Sequence, residues 1–190
     1  MSDLIRIVYV SRSTFPPRPA EHGIEPGVAR ILAQSRLNNP RRGLVGALYF
    51  RDGCFFQCLE GPSGEVDRLM ATLRSDPRHT DLRVLAGMPI ERTGFAAWSM
   101  KYSDIGAAMA LLLHARGLST FDPYAFDAAT VEAVVELLRD GPDAPSPASG
   151  VTRAVPMNEA LARRALRVAH MALGLAGLAL AVAILAVASS

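Results

Sequence analysis

The residues that announce most chemistries are scarce in this 190-residue chain, which has 2 cysteines, 4 histidines, 1 tryptophan and, in Lys101, its sole lysine. Cys54 and Cys58 lie on one strand-like segment. At about 3.3 Å of rise per residue, their Cα atoms stand too far apart for a disulfide. They read as packing thiols in a reducing compartment. The histidines, at His22, His79, His114 and His170, have no metal-ligand spacing. No Gly-x-Gly occurs, which excludes the Rossmann dinucleotide fingerprint, and no Walker-type loop is present. An excess of one charge is missing too. Twenty basic against 18 acidic residues leave +2, too little for the electrostatic footprint of a nucleic-acid binder. A secretory signal is not expected, because Asp3 and Arg6 interrupt the first apolar run.

What is present is a well-patterned core, with 50% of the chain hydrophobic. Leu4 to Val10 alternate as a strand with Ile5, Ile7 and Tyr9 on one face. A proline-rich loop follows, from Ser13 to Pro26. Pro26 then opens a helix whose apolar stripe, Ile31, Leu32 and Ser35, continues at the same spacing into Asn38 and Asn39 before Pro40 ends it. Strands are expected at Leu44 to Phe50 and Cys54 to Glu60, joined by Arg51-Asp52-Gly53, a hairpin signal. A second helix begins near Pro62, buries Val66, Leu69, Met70 and Leu73, and stops before Asp76-Pro77. Asp81 to Met88 and Trp98 to Tyr102 read as two further strands.

That order, β-α-β-β-α-β-β, predicts an α+β fold, a ferredoxin-like sandwich with two helices on one face of the sheet. Helical periodicity in Ala107 to Arg116 and Ala128 to Arg139 predicts two C-terminal helices covering the other face. The chain then divides into a domain at 1–103, cap helices at 104–140, a linker at 141–156 and a C-terminal apolar helix at 157–190. The Pro-, Ser- and Gly-rich Gly141 to Gly150 is expected to form no packed structure.

Within the core pattern one residue is out of place. Gln57 stands in the middle of Cys54-Phe55-Phe56-Gln57-Cys58-Leu59, and an unpartnered buried carboxamide costs roughly 1–3 kcal/mol. A polar group inside the core must answer it, and a bound ligand is expected to be that group. Tyr9 occupies the equivalent place on a neighbouring strand, and the amides of Asn38 and Asn39 point from the helix toward the same gap. A phenol and several amides around an apolar slot suit a flat heterocycle with carbonyl and ring-nitrogen edges, of which a flavin is one. By strand alternation Cys54 and Cys58 face away from Gln57.

These residues carry a family resemblance. The segments LIRIVYVS around Tyr9, ILAQSRLNNP ending in Asn38 and Asn39, GLVGALYFRDGCFFQCLEG around Gln57, SDPRH from Ser75 to His79 and FAAWSM from Phe95 to Met100 resemble, in order, the BLUF family of blue-light sensors using flavin. The departure from the family is the longer proline-rich loop after Tyr9. The resemblance implies FAD as cofactor, where the residues alone leave FAD and FMN open. It implies that Asn38 and Asn39 hold the flavin ring and ribityl side, that Ile31, Phe55 and Leu73 form apolar walls, and that Asp76, Arg78 and His79 lie by the ribityl and phosphate part. Ser35 and Met100 complete the implied binding set. It further implies that light moves an electron and a proton from Tyr9 by way of Gln57, and that Gln57 rearranges into a red-shifted signalling state. Trp98 and Met100, alternating with Ser99 on the expected last strand, are then both able to stand beside Gln57.

The expected function is a non-catalytic photoreceptor acting on an unidentified downstream protein. The alternative is a flavin-free ferredoxin-like interaction module, anchored to the membrane, in which Gln57 and Asn39 bond to each other. From Val168 to Ala188 no charged residue occurs, and Arg163, Arg164 and Arg167 precede the run. About 20 apolar residues cross a bilayer core, and the positive-inside rule puts the sensor on the cytoplasmic side. The expectation is a single-pass C-terminal anchor at 168–188 in the inner or cytoplasmic membrane. Gly174, Gly177 and Ala181 give that helix a small-residue face suited to homo-oligomer packing.

Overall fold

The computed structural model describes residues 3–16, 24–95 and 98–143. In chain order its elements are β1 (Leu4–Ser13), α1 (Pro26–Asn38), β2 (Val45–Arg51), β3 (Cys54–Pro62), α2 (Ser63–Arg74), β4 (His79–Ile90), β5 (Lys101–Tyr102), α3 (Gly106–Ala115) and α4 (Ala128–Asp140). The strands form one sheet in the order β4-β1-β3-β2-β5. This is the ferredoxin-like α+β arrangement that the pattern predicts, with β5 added parallel to β2.

Local chemistry fixes the frame. At the β2–β3 turn Asp52 and Gly53 take φ of 51° and 73°, the left-handed pair that a two-residue hairpin with native twist requires. That turn sets the register in which Gln57 faces Leu48, and the pairing of β1 with β3 places Tyr9 opposite Gln57. At the start of α1 the Glu25 carboxylate accepts the Val28 N–H at 2.9 Å and Pro26 fills the first turn, where its missing donor is harmless. Pro40 begins a single 3-10 turn, Pro40–Arg42, and Gly43 closes it at φ 66°.

The sheet separates two apolar clusters. One face carries Tyr9, Leu48, Phe55 and Leu59 against Ile31 and Leu32 of α1 and Val66 and Met70 of α2. The other carries Val8, Val10, Phe56 and Cys58 against Met109 of α3 and Val134 and Leu138 of α4. Strand alternation therefore sends Gln57 and its flanking cysteines to opposite sides, and both cysteines are buried free thiols.

The structure departs from the sequence reading at two places. The last strand is only Lys101–Tyr102, so Trp98 and Met100 precede it and strand alternation does not place them. Their stretch is held by single bonds from elsewhere: Gly46 N–H donates to the Trp98 carbonyl at 3.2 Å, and the Asn39 amide to the Ser99 carbonyl at 2.7 Å. The start of the expected linker is also packed. Asp143 bridges to Ser103 and accepts the Tyr102 N–H at 2.9 Å, because a carboxylate can satisfy an edge-strand donor whatever the composition around it.

The chain splits into two compact units, Met1–Ser149 and Gly150–Ser190. The second lies outside the described residues, as do 144–156 of the linker, the apolar run at 168–188 and its small-residue face. Among the described residues, no helix is long and apolar enough to cross a membrane.

Candidate functional site

Because β1 and β3 are paired in register, Tyr9 and Gln57 meet side by side in the interior. The Tyr9 hydroxyl donates to Gln57 Oε1 at 2.6 Å, and Gln57 Nε2 in turn donates to the Met100 thioether at 3.6 Å. All three side chains are enclosed, with Tyr9 at 0%, Gln57 at 4% and Met100 at 2% exposure. Burial raises the Tyr9 pKa well above the usual phenol value, and the charge of Asp76 acts in the same direction. The phenol is therefore held protonated, and it donates to a Gln57 amide set with its oxygen toward Tyr9 and its nitrogen toward sulfur. A thioether is only a weak acceptor. The amide is held firmly at one end and loosely at the other.

Met100 is set in place by its neighbours' main-chain contacts. Asn39, buried at the end of α1, holds the Ser99 carbonyl, and Arg36 Nε donates to the Met100 carbonyl at 2.9 Å. Trp98 is 38% exposed, with the Lys101 ammonium 5.6 Å from its ring centre. So Met100, and not Trp98, stands beside Gln57.

At the other end of the slot, His79 Nδ1 bonds Ser11 Oγ at 2.8 Å, and the His79 ring lies 4.6 Å from that of Phe55. Burial lowers the His79 pKa, keeping the imidazole neutral, while its Nε2 is buried without a hydrogen-bond partner among the described residues. Asp76 accepts the Arg78 N–H and Nε at 2.9 Å, and the Arg78 hydrogen bonds push its carboxyl down to about 2. Ile31 and Phe55 are buried in the apolar cluster and Leu73 packs half-buried against it. Ser35 is half-buried, its carbonyl accepting the Asn39 N–H at 2.8 Å. Asn38 is half-buried, and its amide has no hydrogen-bond partner among the described residues.

The structure thus brings Tyr9, Gln57 and Met100 into one hydrogen-bonded string, gathers Ile31, Phe55, Leu73 and His79 around the same cluster, and leaves Trp98 outside. Asn39 does not meet Gln57. Three residues that sequence reasoning did not single out support the site. Ser11 orients His79, Arg36 holds Met100, and buried Glu60 pairs with Arg6 at 2.7 Å while accepting the Gly94 and Phe95 N–H groups. Glu60 had a legible signal, an acid in a buried strand whose one other polar side chain is Gln57. The others act through tertiary contacts that no local pattern announces.

An apolar wall beside His79, whose ring nitrogen is buried with no hydrogen-bond partner among the described residues, fits a flat heterocycle with polar edges, so the residues present suit the flavin of FAD. Fold and site together define a ligand-holding sensory module of ferredoxin-like architecture. Residues 4–101 match BLUF, the sensors of blue-light using FAD, and the chain belongs to that family. Its cofactor is FAD.

Among relatives, the photoactivated adenylate cyclase subunit beta of Euglena longa is 34% identical over 104 residues, covering 55% of this chain and 12% of that protein. Subunit alpha of Euglena gracilis is 34% identical over 105 residues, covering 55% and 10%. This chain therefore spans about a tenth of the length of those curated relatives. The BlsA ground-state structure superposes with a TM-score of 0.68 at 27% identity, covering 76% of this chain and 93% of that one. For the BlrB dark-state structure the TM-score is 0.52 at 29% identity, with 70% and 98% covered.

Proposed function

We propose that this chain is a blue-light photoreceptor in which Tyr9 and Gln57 form the switch, and that it passes its lit state to a downstream protein without catalysing a reaction itself. The observation that supports this most directly is the Tyr9–Gln57–Met100 string, buried, polar and built on an amide with one donor end and one acceptor end. Bound FAD would supply the blue absorption and an acceptor for an electron and a proton. Tyr9 would donate both, its hydroxyl proton lying on the bond to Gln57 Oε1. Once both had returned to Tyr9, Gln57 would be left turned. Nε2 then faces Tyr9 Oη, which can accept, and Oε1 faces a sulfur that cannot donate. The same backbone thus offers two hydrogen-bond patterns, which is what a two-state sensor needs.

The flavin-free interaction module is disfavoured, because it depended on a Gln57–Asn39 bond and each amide is engaged elsewhere. The apolar run at 168–188, with arginines before it, is read as a membrane anchor that holds the sensor on the cytoplasmic side of the inner or cytoplasmic membrane.

The test is an absorption spectrum of the purified full chain, before and after blue light. A yellow protein whose spectrum shifts red and recovers in darkness is expected, with Tyr9→Phe and Gln57→Leu each losing the shift. A reversible shift that survives both substitutions would remove the switch from these residues.

A further inference from the structure

Arg36 makes an unusual pair of contacts for a residue near the end of a helix. Its Nε is bonded to the main-chain carbonyl of Met100 at 2.9 Å, the residue whose sulfur Gln57 holds, and its Nη2 reaches both Asp143 oxygens at 3.2 and 3.4 Å. Asp143 closes the circuit, since its Oδ1 also accepts the Tyr102 N–H at 2.9 Å and its backbone bridges to Ser103. Residues 100–103 are therefore gripped from one side by α1 and from the other by Asp143, which follows α4. Both side chains are partly open to solvent, Arg36 at 26% and Asp143 at 22%. Such a pair is weak, and a weak pair can open on a small change at its root.

We propose that Arg36 and Asp143 are positioning residues of the switch. They hold Met100 beside Gln57 in darkness, and they let go of the chain at Asp143 when the Gln57 amide turns. The inference rests on the switch reading above. A turned amide presents oxygen to the Met100 sulfur, so the side-chain hold on Met100 disappears. The Met100 carbonyl then shifts against Arg36, and the guanidinium cannot keep both that carbonyl and the Asp143 carboxylate. An ordinary docking contact would join α1 to the departing chain directly. Here the guanidinium is shared with the main chain of Met100, whose sulfur the Gln57 amide holds.

The experiment uses full-length, FAD-loaded protein, and follows flavin absorbance and hydrogen exchange of the Tyr102 amide, which Asp143 holds, in the same samples. In the wild type, illumination is expected to raise that exchange rate about fivefold, the scale of one partly exposed ion pair. Asp143→Ala and Arg36→Lys should exchange in darkness at close to the lit rate, and their dark recovery of the red shift should slow by about the same factor, because the pair no longer draws Met100 back. A normal red shift with equal exchange in light and dark would overturn the latch and leave the photoreceptor reading standing. So would variants that keep both the light-dependent exchange and the wild-type recovery. Absence of any red shift in the wild type would instead sink the switch itself, and the latch with it.

Discussion

Tyr9 and Gln57 are each costly to bury and each answers the other. Removing the phenol hydroxyl leaves Gln57 Oε1 unsatisfied, and removing the amide leaves the hydroxyl unsatisfied, so Tyr9→Phe and Gln57→Leu should each destabilise by about 1–3 kcal/mol. The double substitution removes both polar groups and should cost clearly less than the sum, as measured by urea denaturation. Additive losses would mean that the two side chains do not pair in solution. His79 carries a pH consequence. Burial depresses its folded pKa below the ordinary 6.5, so below that pH the unfolded chain takes up a proton that the native state refuses. Stability is therefore full above about pH 6.5 and declines as the pH falls through the folded value. Asp76 adds a second loss at lower pH, because its folded carboxyl is at about 2 against an ordinary 3.8 and its contribution fades only across that window. Melting temperatures of the wild type should drop between about pH 7.5 and 5.5, and His79→Gln should flatten that dependence.

The elements position the site through two close approaches. One is the Asp52-Gly53 turn, which pins β3 against β2 in the register that puts Gln57 over the helix-covered face. The other is Gly46, where an added Cβ would stand 2.1 Å from the Cys58 carbonyl oxygen and where the main chain also donates to the Trp98 carbonyl. Gly46→Ala must therefore push β2 from β3 and loosen the stretch that carries Met100. A cost of about 3 kcal/mol in urea denaturation is expected, the upper range of overpacking. A wild-type urea midpoint would show that β2 yields without strain. Trp98 belongs to this scale too. Its exclusion from the interior follows from the shortness of β5, since only a longer strand would have imposed alternation on residues 98 to 100.

At the scale of the molecule the sheet works as a partition. One face holds the polar string and its apolar walls under α1 and α2, and the other is sealed by α3 and α4. A change at Gln57 therefore has two ways out: across the sheet, or along the segment at Met100 that borders Asp143. The second needs no rearrangement of the packed core. The apolar run at 168–188 gives this scale its own prediction. Full-length protein should sediment with membranes and a chain lacking residues 157–190 should not, with the flavin spectrum unchanged between them. Equal partition of the two would remove the anchor.

The sequence by itself determined the element order and the faces of the central strands, because those follow from local rules: period-two alternation, helical periodicity and turn chemistry. It also determined that Gln57 needed an interior partner, since the cost of burying an amide does not depend on the fold. Only the tertiary structure decided which partners were chosen. Met100 over Trp98, Arg36 on a carbonyl of another element, Glu60 clasping the loop at Gly94 and Asp143 docked against Tyr102 all join groups far apart in the chain. Contacts of that kind are selected by which atoms the folded backbone brings within hydrogen-bond reach, a property that no stretch of sequence holds alone.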